Sequence, residues 1–268
     1  MAPPEDTQQL RLYADFMSQP SRACIIFSRI NGLPVEVRPV LIHKGETRSA
    51  AYLKLNPLGK VPLLEDPWVA AASQMTNGGG AGGGGLLLPE SAAIMPYLSY
   101  RFPGRVAEHW YPRADAVARA RVDAATAWYQ GNIRAGAMKL VFNKVVAQRL
   151  GLQGDERVAA DGLKTLQLAL ASLESYWLDG GSRPFMTGNQ PCIADLLCCC
   201  ELEQLAMLQQ DAHGASMQAV LQPYSVVRAW RQRLREACAP CYGDAHATLE
   251  AAVRRAAEQR PAAPLARL

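Results

Sequence analysis

What most restricts this chain is its opening, which alternates a strand, a helix and a strand. Leu10-Arg11-Leu12-Tyr13-Ala14 reads as a strand, and Ser21 to Asn31 as a helix stopped by Asn31-Gly32 and then Pro34. Val35-Glu36-Val37-Arg38-Pro39-Val40 alternates with period two and reads as a second strand. Two strands joined through a helix cannot form a hairpin. They must lie parallel, with a right-handed crossover on one face of the sheet. A short helix follows near Ser49 to Leu55, ended by Asn56-Pro57. Val61-Pro62-Leu63-Leu64 and Leu86-Leu87-Leu88 read as two short strands, and Ser91 to about Arg101 as a helix.

Near residue 105 the texture changes. The rest is rich in Ala, Leu, Arg, Glu and Gln, with predicted helices near 114–149, 157–178, 193–210, 225–236 and 242–259. The expectation is therefore an α/β domain over 9–102 and an all-helical domain over 113–260, with a linker from Phe102 to Arg113. A chain of 268 residues is long enough for either one large core or two smaller ones.

Composition narrows the class. Lys and Arg number 28 against 24 Asp and Glu, a net charge of +4, with no basic block of the kind that marks a nucleic-acid arm. The most apolar stretch, Ile193 to Leu208, is broken by Asp195, Glu201 and Glu203, so no membrane span is expected. The seven cysteines are an odd number, three of them consecutive (Cys198, Cys199, Cys200), and read as reduced thiols packed as small apolar groups. The four histidines are scattered, so no metal is expected. Cys238-Ala239-Pro240-Cys241 has dithiol spacing, but it falls late, between two predicted helices rather than after a strand. Asn77 to Gly85 is almost all glycine. It lacks the Gly-Lys-Ser/Thr ending of a phosphate loop and reads as an insertion in a hairpin loop. The N-terminus is acidic and proline-rich, so a cytoplasmic protein is expected. The last three residues, Ala266-Arg267-Leu268, form a relaxed version of the Ser-Lys-Leu peroxisomal address, against which chance in an Ala/Arg/Leu-rich tail competes.

Three places could carry chemistry. Phe16-Met17-Ser18-Gln19-Pro20-Ser21 joins the first strand to the first helix, where free N–H groups and the helix dipole favour an anion. A hydroxyl there can hold a thiolate, or can simply cap the helix. Lys60-Val61-Pro62 places a proline at the start of a strand, which fits an edge, a tight bend or a cis bond; an exposed Val61 backbone could pair with a peptide-like ligand. Pro89-Glu90-Ser91 offers a carboxylate, a hydroxyl and helix-head N–H groups, suited to an amino acid's ammonium and carboxylate or to an ordinary cap.

In this order and spacing, these sites resemble the glutathione S-transferase family, and its theta class in particular. The likeness is carried by Leu12-Tyr13 through Ser18-Gln19-Pro20-Ser21-Arg22-Ala23, Lys44-Gly45, Asn56-Pro57-Leu58-Gly59-Lys60-Val61-Pro62 and Glu90-Ser91-Ala92-Ala93-Ile94. It continues through Trp110-Tyr111-Pro112, Ala118 to Asp123 with Trp128, Ala194-Asp195-Leu196 and Ala229-Trp230-Arg231-Gln232-Arg233. The resemblance implies a thioredoxin-like N-terminal domain followed by an all-α C-terminal domain, paired as a homodimer that binds glutathione and a small hydrophobic electrophile. It implies that Ser18 hydrogen-bonds the glutathione sulfur and that Val61, before a cis Pro62, pairs with the cysteinyl backbone. Glu90 and Ser91 would hold the γ-glutamyl end. Gln19 and Lys60 would contact the tripeptide, Lys60 at the glycine carboxylate, and Arg134 would face the electrophile.

Four departures stand out. Thr47 occupies the place of a histidine that helps hold the glycine carboxylate, which leaves that contact weaker or served by Lys44. Cys192 is a poorer helix cap than the usual Ser or Thr. The glycine run is an insertion. The C-terminal extension is shortened and lacks its tryptophan, leaving a more open electrophile pocket. The leading expectation is a transferase that activates glutathione as a thiolate, either to conjugate it to small electrophiles or to reduce organic hydroperoxides with the same nucleophile. The alternatives are a non-catalytic binding module or ligand carrier of the same fold, and a dithiol oxidoreductase using Cys238 and Cys241.

Overall fold

The computed structural model describes residues 9–69, 85–208 and 216–259. The glycine run up to Gly84 and the Ala266-Arg267-Leu268 ending lie outside the described residues. The first unit contains β1 (Leu10–Ala14), α1 (Gln19–Ile30), β2 (Val35–Pro39), α2 (Ala50–Leu55), β3 (Leu63–Asp66), β4 (Leu86–Pro89) and α3 (Ser91–Arg101). The four strands form one sheet in the order β2-β1-β3-β4. β1 and β2 are parallel, as the helical crossover demands, while β3 runs antiparallel to β1 and to β4.

The period-two pattern decides which face each side chain takes. Leu10, Leu12 and Ala14 are fully buried beneath α1 and α3. Arg11 and Tyr13 project to the opposite face, where Arg11 Nη1 and the Tyr13 hydroxyl donate to Glu65 at 3.1 and 2.8 Å. There Tyr13, Tyr52, Leu63 and Val61 form a smaller apolar cluster under α2.

Two elements start two residues away from the sequence reading. α1 begins at Gln19 rather than Ser21, because Pro20 fits the first helical turn, where no N–H is required. β3 begins at Leu63 rather than Val61. The Val61–Pro62 bond is cis, and Pro62 offers no donor to a ladder.

The second unit comprises α4 (Ala116–Tyr129), α5 (Ala135–Val141), α6 (Ala147–Arg149), α7 (Glu156–Ser172), α8 (Ile193–Glu203), α9 (Met217–Leu221), α10 (Ser225–Ala237) and α11 (Cys241–Glu258). The single helix predicted over 114–149 is interrupted by wide π turns at Gln130–Arg134 and Phe142–Val146. α8 gives way to a 3-10 turn at Gln204–Met207, and the predicted helix end at 209–210 is outside the described residues. α9 had no sequence signal. Among the described residues, no helix is long and apolar enough to cross a membrane.

α8 is buried along its whole length, and Cys198, Cys199 and Cys200 pack there as small apolar groups. Its cap works differently from the expectation. The fully buried Asp195 carboxylate accepts from the Cys192 N–H at 2.9 Å and from the Cys192 thiol at 3.1 Å. It also takes the Met186 N–H at 3.0 Å and the Trp230 indole N–H at 2.7 Å. The aspartate thus makes the N3-to-N-cap half of a capping box: it takes the N–H of Cys192, not the helix-head N–H that a hydroxyl cap would accept. Cys238 is buried at the end of α10, and burial pushes its thiol up to about 12, far from the thiolate that dithiol exchange requires.

His246 in α11 stacks on Tyr242 with centroids 4.3 Å apart and donates Nδ1–H to the Tyr242 carbonyl at 2.8 Å, while Nε2 has no partner among the described residues. Burial, helped by Arg22, lowers its pKa to about 4. The unfolded chain therefore binds this proton first as pH falls from about 6.5. The stability held by neutral His246 is complete above that pH and lost down to about pH 4, a change of about 3 kcal/mol. Urea denaturation at stepped pH should show this loss, and His246→Gln should flatten it.

Candidate active site

The turn between β1 and α1 is shaped by one carboxylate. Asp15 is almost fully buried, and its Oδ1 accepts from the Met17 N–H and its Oδ2 from the Ile42 N–H, both at 2.8 Å. Its carbonyl accepts the Ser18 N–H at 2.9 Å. This fold of the chain sets Ser18 at the N-cap position of α1 in extended backbone conformation. The Ser18 side chain makes no capping hydrogen bond, so the hydroxyl is not committed to the helix. Ser21 lies inside α1, fully buried, and its Oγ has no partner among the described residues.

Across from α1, the Leu58-Gly59-Lys60 turn delivers Val61. Tyr52 Oη and Asn56 Nδ2 donate to the Lys60 carbonyl at 2.7 and 2.8 Å, which orients the peptide entering the cis Val61–Pro62 bond. Gly59 has φ +59°, and a Cβ there would stand 2.7 Å from Arg48 Nη1 and 3.1 Å from the Thr47 carbonyl. Only glycine fits both the angle and the space. Among the described residues Val61 makes no backbone hydrogen bond, so its N–H and C=O remain available as a short strand edge.

The third wall is the head of α3. Glu90 holds φ +70°, an uncommon angle for a residue with a side chain, and gives α3 no side-chain cap. The first N–H groups of α3 are thus left to a ligand beside the buried Ser91 hydroxyl. Behind this wall Asp66, at the end of β3, accepts from the Tyr97 hydroxyl at 2.7 Å and Arg101 Nε at 3.1 Å, which pins α3 to the sheet.

These elements enclose a cavity of about 190 Å³. Lys60, Val61, Pro62, Glu90, Ser91 and Arg134 line it, with Pro20 from α1 and Tyr129 and Gln130 from the second unit. The π turn at Gln130–Arg134 widens the helix where these side chains face the cavity. Ser18, Gln19 and Thr47 are not among the residues that line it. Ser18 sits two residues before Pro20. Thr47 is buried in the 3-10 turn against Gly59. Gln19 turns its amide toward the second unit, donating to Glu201 Oε1 at 3.1 Å. Glu201 also accepts from Arg134 Nη1 at 2.6 Å and the Tyr129 hydroxyl at 3.0 Å. Burial raises the Glu201 pKa, opposed by Arg134, and raises that of Tyr129. With a guanidinium at 2.6 Å, Glu201 acts as a carboxylate.

Sequence reasoning missed Asp15 and Glu201. An aspartate three residues before a strand-to-helix serine is a recognisable acceptor for a turn. Glu201 was visible only as a charge interrupting an apolar run. Among the described residues, no group of three or more His, Cys, Asp or Glu could hold a metal ion.

A mixed four-stranded sheet with a cis-proline loop at its ligand edge, followed by a helical unit that closes one cavity wall, defines a two-domain thioredoxin-like architecture. The family profile described as "Glutathione S-transferase, N-terminal domain" matches residues 18–100. Glutathione S-transferase T1 of Arabidopsis thaliana is 36% identical over 241 residues, 90% of this chain and 89% of that one. The structure of human glutathione transferase theta-2, in complex with glutathione and an unknown ligand, superposes with a TM-score of 0.76 at 30% identity, covering 95% of this chain and 94% of that one. A human theta-class transferase bound to the glutathione conjugate of 1-menaphthyl sulfate gives a TM-score of 0.76 at 32% identity, covering 93% and 91%. The chain belongs to the theta class of the glutathione S-transferase family.

Asp15→Ala should cost about 1–3 kcal/mol by stripping two turn N–H groups of their acceptor. It should also weaken glutathione binding, because the turn that carries Ser18 relaxes; paired urea melts and calorimetric titration check both effects.

Proposed function

We propose that this transferase stabilises the glutathione thiolate through the Ser18 hydroxyl and passes the sulfur to small electrophiles. The observation that carries the reading is Ser18 at the head of α1, with a hydroxyl that makes no cap. A hydroxyl donor and a helix dipole aimed at one point favour the anion over the thiol. Lowering the bound thiol pKa from ~8.5 to ~6.5 requires ~2.7 kcal/mol, within reach of one charge-assisted hydrogen bond and a helix end.

The remaining contacts follow the chemistry of the walls. Val61 pairs its backbone with the cysteinyl residue of the tripeptide. Glu90 takes the γ-glutamyl ammonium, and Ser91 with the α3 head takes its carboxylate. Lys60 faces the glycine carboxylate, with Gln19 and Thr47 supporting from behind. Arg134 presents its cation to the electrophile. Residues 9–102 thus bring glutathione and 113–260 bring the second wall.

In conjugation the thiol proton leaves to solvent, the thiolate sulfur forms a bond to an electrophilic carbon, and the leaving group departs with its electron pair. In hydroperoxide reduction the thiolate attacks the distal oxygen, the O–O bond breaks, and the alcohol leaves after protonation. A second glutathione then displaces water from the sulfenic acid to give the disulfide. The large exposed apolar side chains Tyr100 on α3 and Val117 on α4 support pairing with a second copy of the chain.

Ser18→Ala should raise the pKa of bound glutathione by about two units and lower kcat about 100-fold with an aryl halide and with cumene hydroperoxide alike. Ultraviolet difference spectra of the bound thiolate and steady-state kinetics check this. A thiolate band and rates unchanged by the substitution would remove Ser18 from its role.

A further inference from the structure

We propose that Glu201 is a positioning residue for the transfer reaction, a single buried carboxylate that fixes Arg134 in the electrophile wall and ties it to the helix head carrying Ser18. The inference rests on the reading of Arg134 and Ser18 given above. Glu201 lies in α8, fully buried, where α8 packs against both α1 and α4. One of its oxygens accepts from Arg134 at 2.6 Å and from Tyr129 at 3.0 Å, and the other from Gln19 at 3.1 Å. Arg134 and Tyr129 line the cavity, and Gln19 stands between Ser18 and the cavity-lining Pro20. The three donors come from both units of the chain.

The arginine of this pair is partly exposed, with 28% of its side chain accessible, while the carboxylate is not accessible at all. Glu201 therefore holds the guanidinium from behind and leaves its other N–H groups facing the cavity. A long side chain with many rotamers is thereby reduced to one presentation of its charge. The arrangement also needs a carboxylate. Two oxygens with about four lone-pair sites serve three donors, whereas a glutamine offers one acceptor oxygen and adds donors of its own. Glu201→Gln keeps the volume, removes the charge and releases at least one of Arg134, Tyr129 and Gln19.

The test is steady-state kinetics on the full chain with 1-chloro-2,4-dinitrobenzene, corrected for the concentration of active sites. Glu201→Gln should raise KM for the electrophile about fivefold or more, a larger factor than any rise in KM for glutathione, which Gln19 supports. In an Arg134→Gln background the same change should move the electrophile KM less than about twofold, because the group it positions is already gone. A merely structural glutamate would lower Tm and the yield of active protein without this split. An electrophile KM unchanged in Glu201→Gln, or a rise of equal size with and without Arg134, overturns the proposal. Should Glu201→Gln not fold, Glu201→Asp keeps the charge but withdraws it by one methylene. It should give the same KM split, and an unchanged KM there overturns the proposal equally. The thiolate spectrum of glutathione bound to Ser18→Ala, compared with the wild-type chain, reports on Ser18 independently, so failure of that reading and failure of this one give different results.

Discussion

The two units are locked together by the burial of α1. This helix is not amphipathic in the usual sense. Ala23, Cys24, Ile25, Ile26 and Phe27 are all fully buried, because the sheet covers one side and α8 and α11 cover the other. A helix enclosed in this way carries polar groups at a cost: the Ser21 and Ser28 hydroxyls have no partner among the described residues, while the largest polar side chain is held. Arg22, also fully buried, donates to the Phe16 carbonyl at 2.9 Å, the Cys200 carbonyl at 3.0 Å and Gln204 Oε1 at 2.8 Å. Burial lowers its pKa, so these contacts are what make the cation tolerable there. The same guanidinium therefore holds the active-site turn and the second unit. The position of Ser18 depends on a contact that the α/β unit cannot make alone.

α8 repays close reading because its three carboxylates divide three tasks. Asp195 completes the helix cap and anchors Trp230. Glu201 faces the cavity wall. Glu203 accepts from Arg231 at 2.9 Å and the Tyr242 hydroxyl at 3.0 Å, joining α8 to α10 and α11. Burial pushes Glu203 up, but its basic neighbours, Arg231 first, together outweigh it and hold the carboxyl below its usual range. Each charge is buried, and each has donors from a different neighbour. Buried charges with several partners are expensive to break and specify one packing among the many that an apolar helix would allow.

The cavity is built from backbone as much as from side chains. The unpaired edge at Val61 and the uncapped head of α3 present peptide groups to the same space, with Pro20 of α1 beside them. Such a site suits a ligand that is itself a peptide. Its side chains add what peptide groups cannot supply: the Lys60 and Arg134 cations, the Glu90 carboxylate and the Ser91 hydroxyl in the lining.

The sequence by itself determined the parts whose cause is local. The strand, helix and strand at the start follow from period and stop signals, and the parallel pairing follows from the crossover. The segments around Ser18, Val61-Pro62 and Glu90-Ser91 were legible because a hydroxyl before a helix, a proline at a strand start and a carboxylate at a helix head carry their meaning in adjacent residues. What the tertiary structure alone decided depends on distance along the chain. Gln19 and Glu201 are 182 residues apart, and Arg134 and Glu201 are 67 apart, so no window of sequence contains both ends of either bond. The same reason hid the partners of Arg22 and Trp230. The π turn at Gln130–Arg134 was invisible for a different reason. Its residues are compatible with a regular helix, and only the packing around them makes the wider turn the better solution.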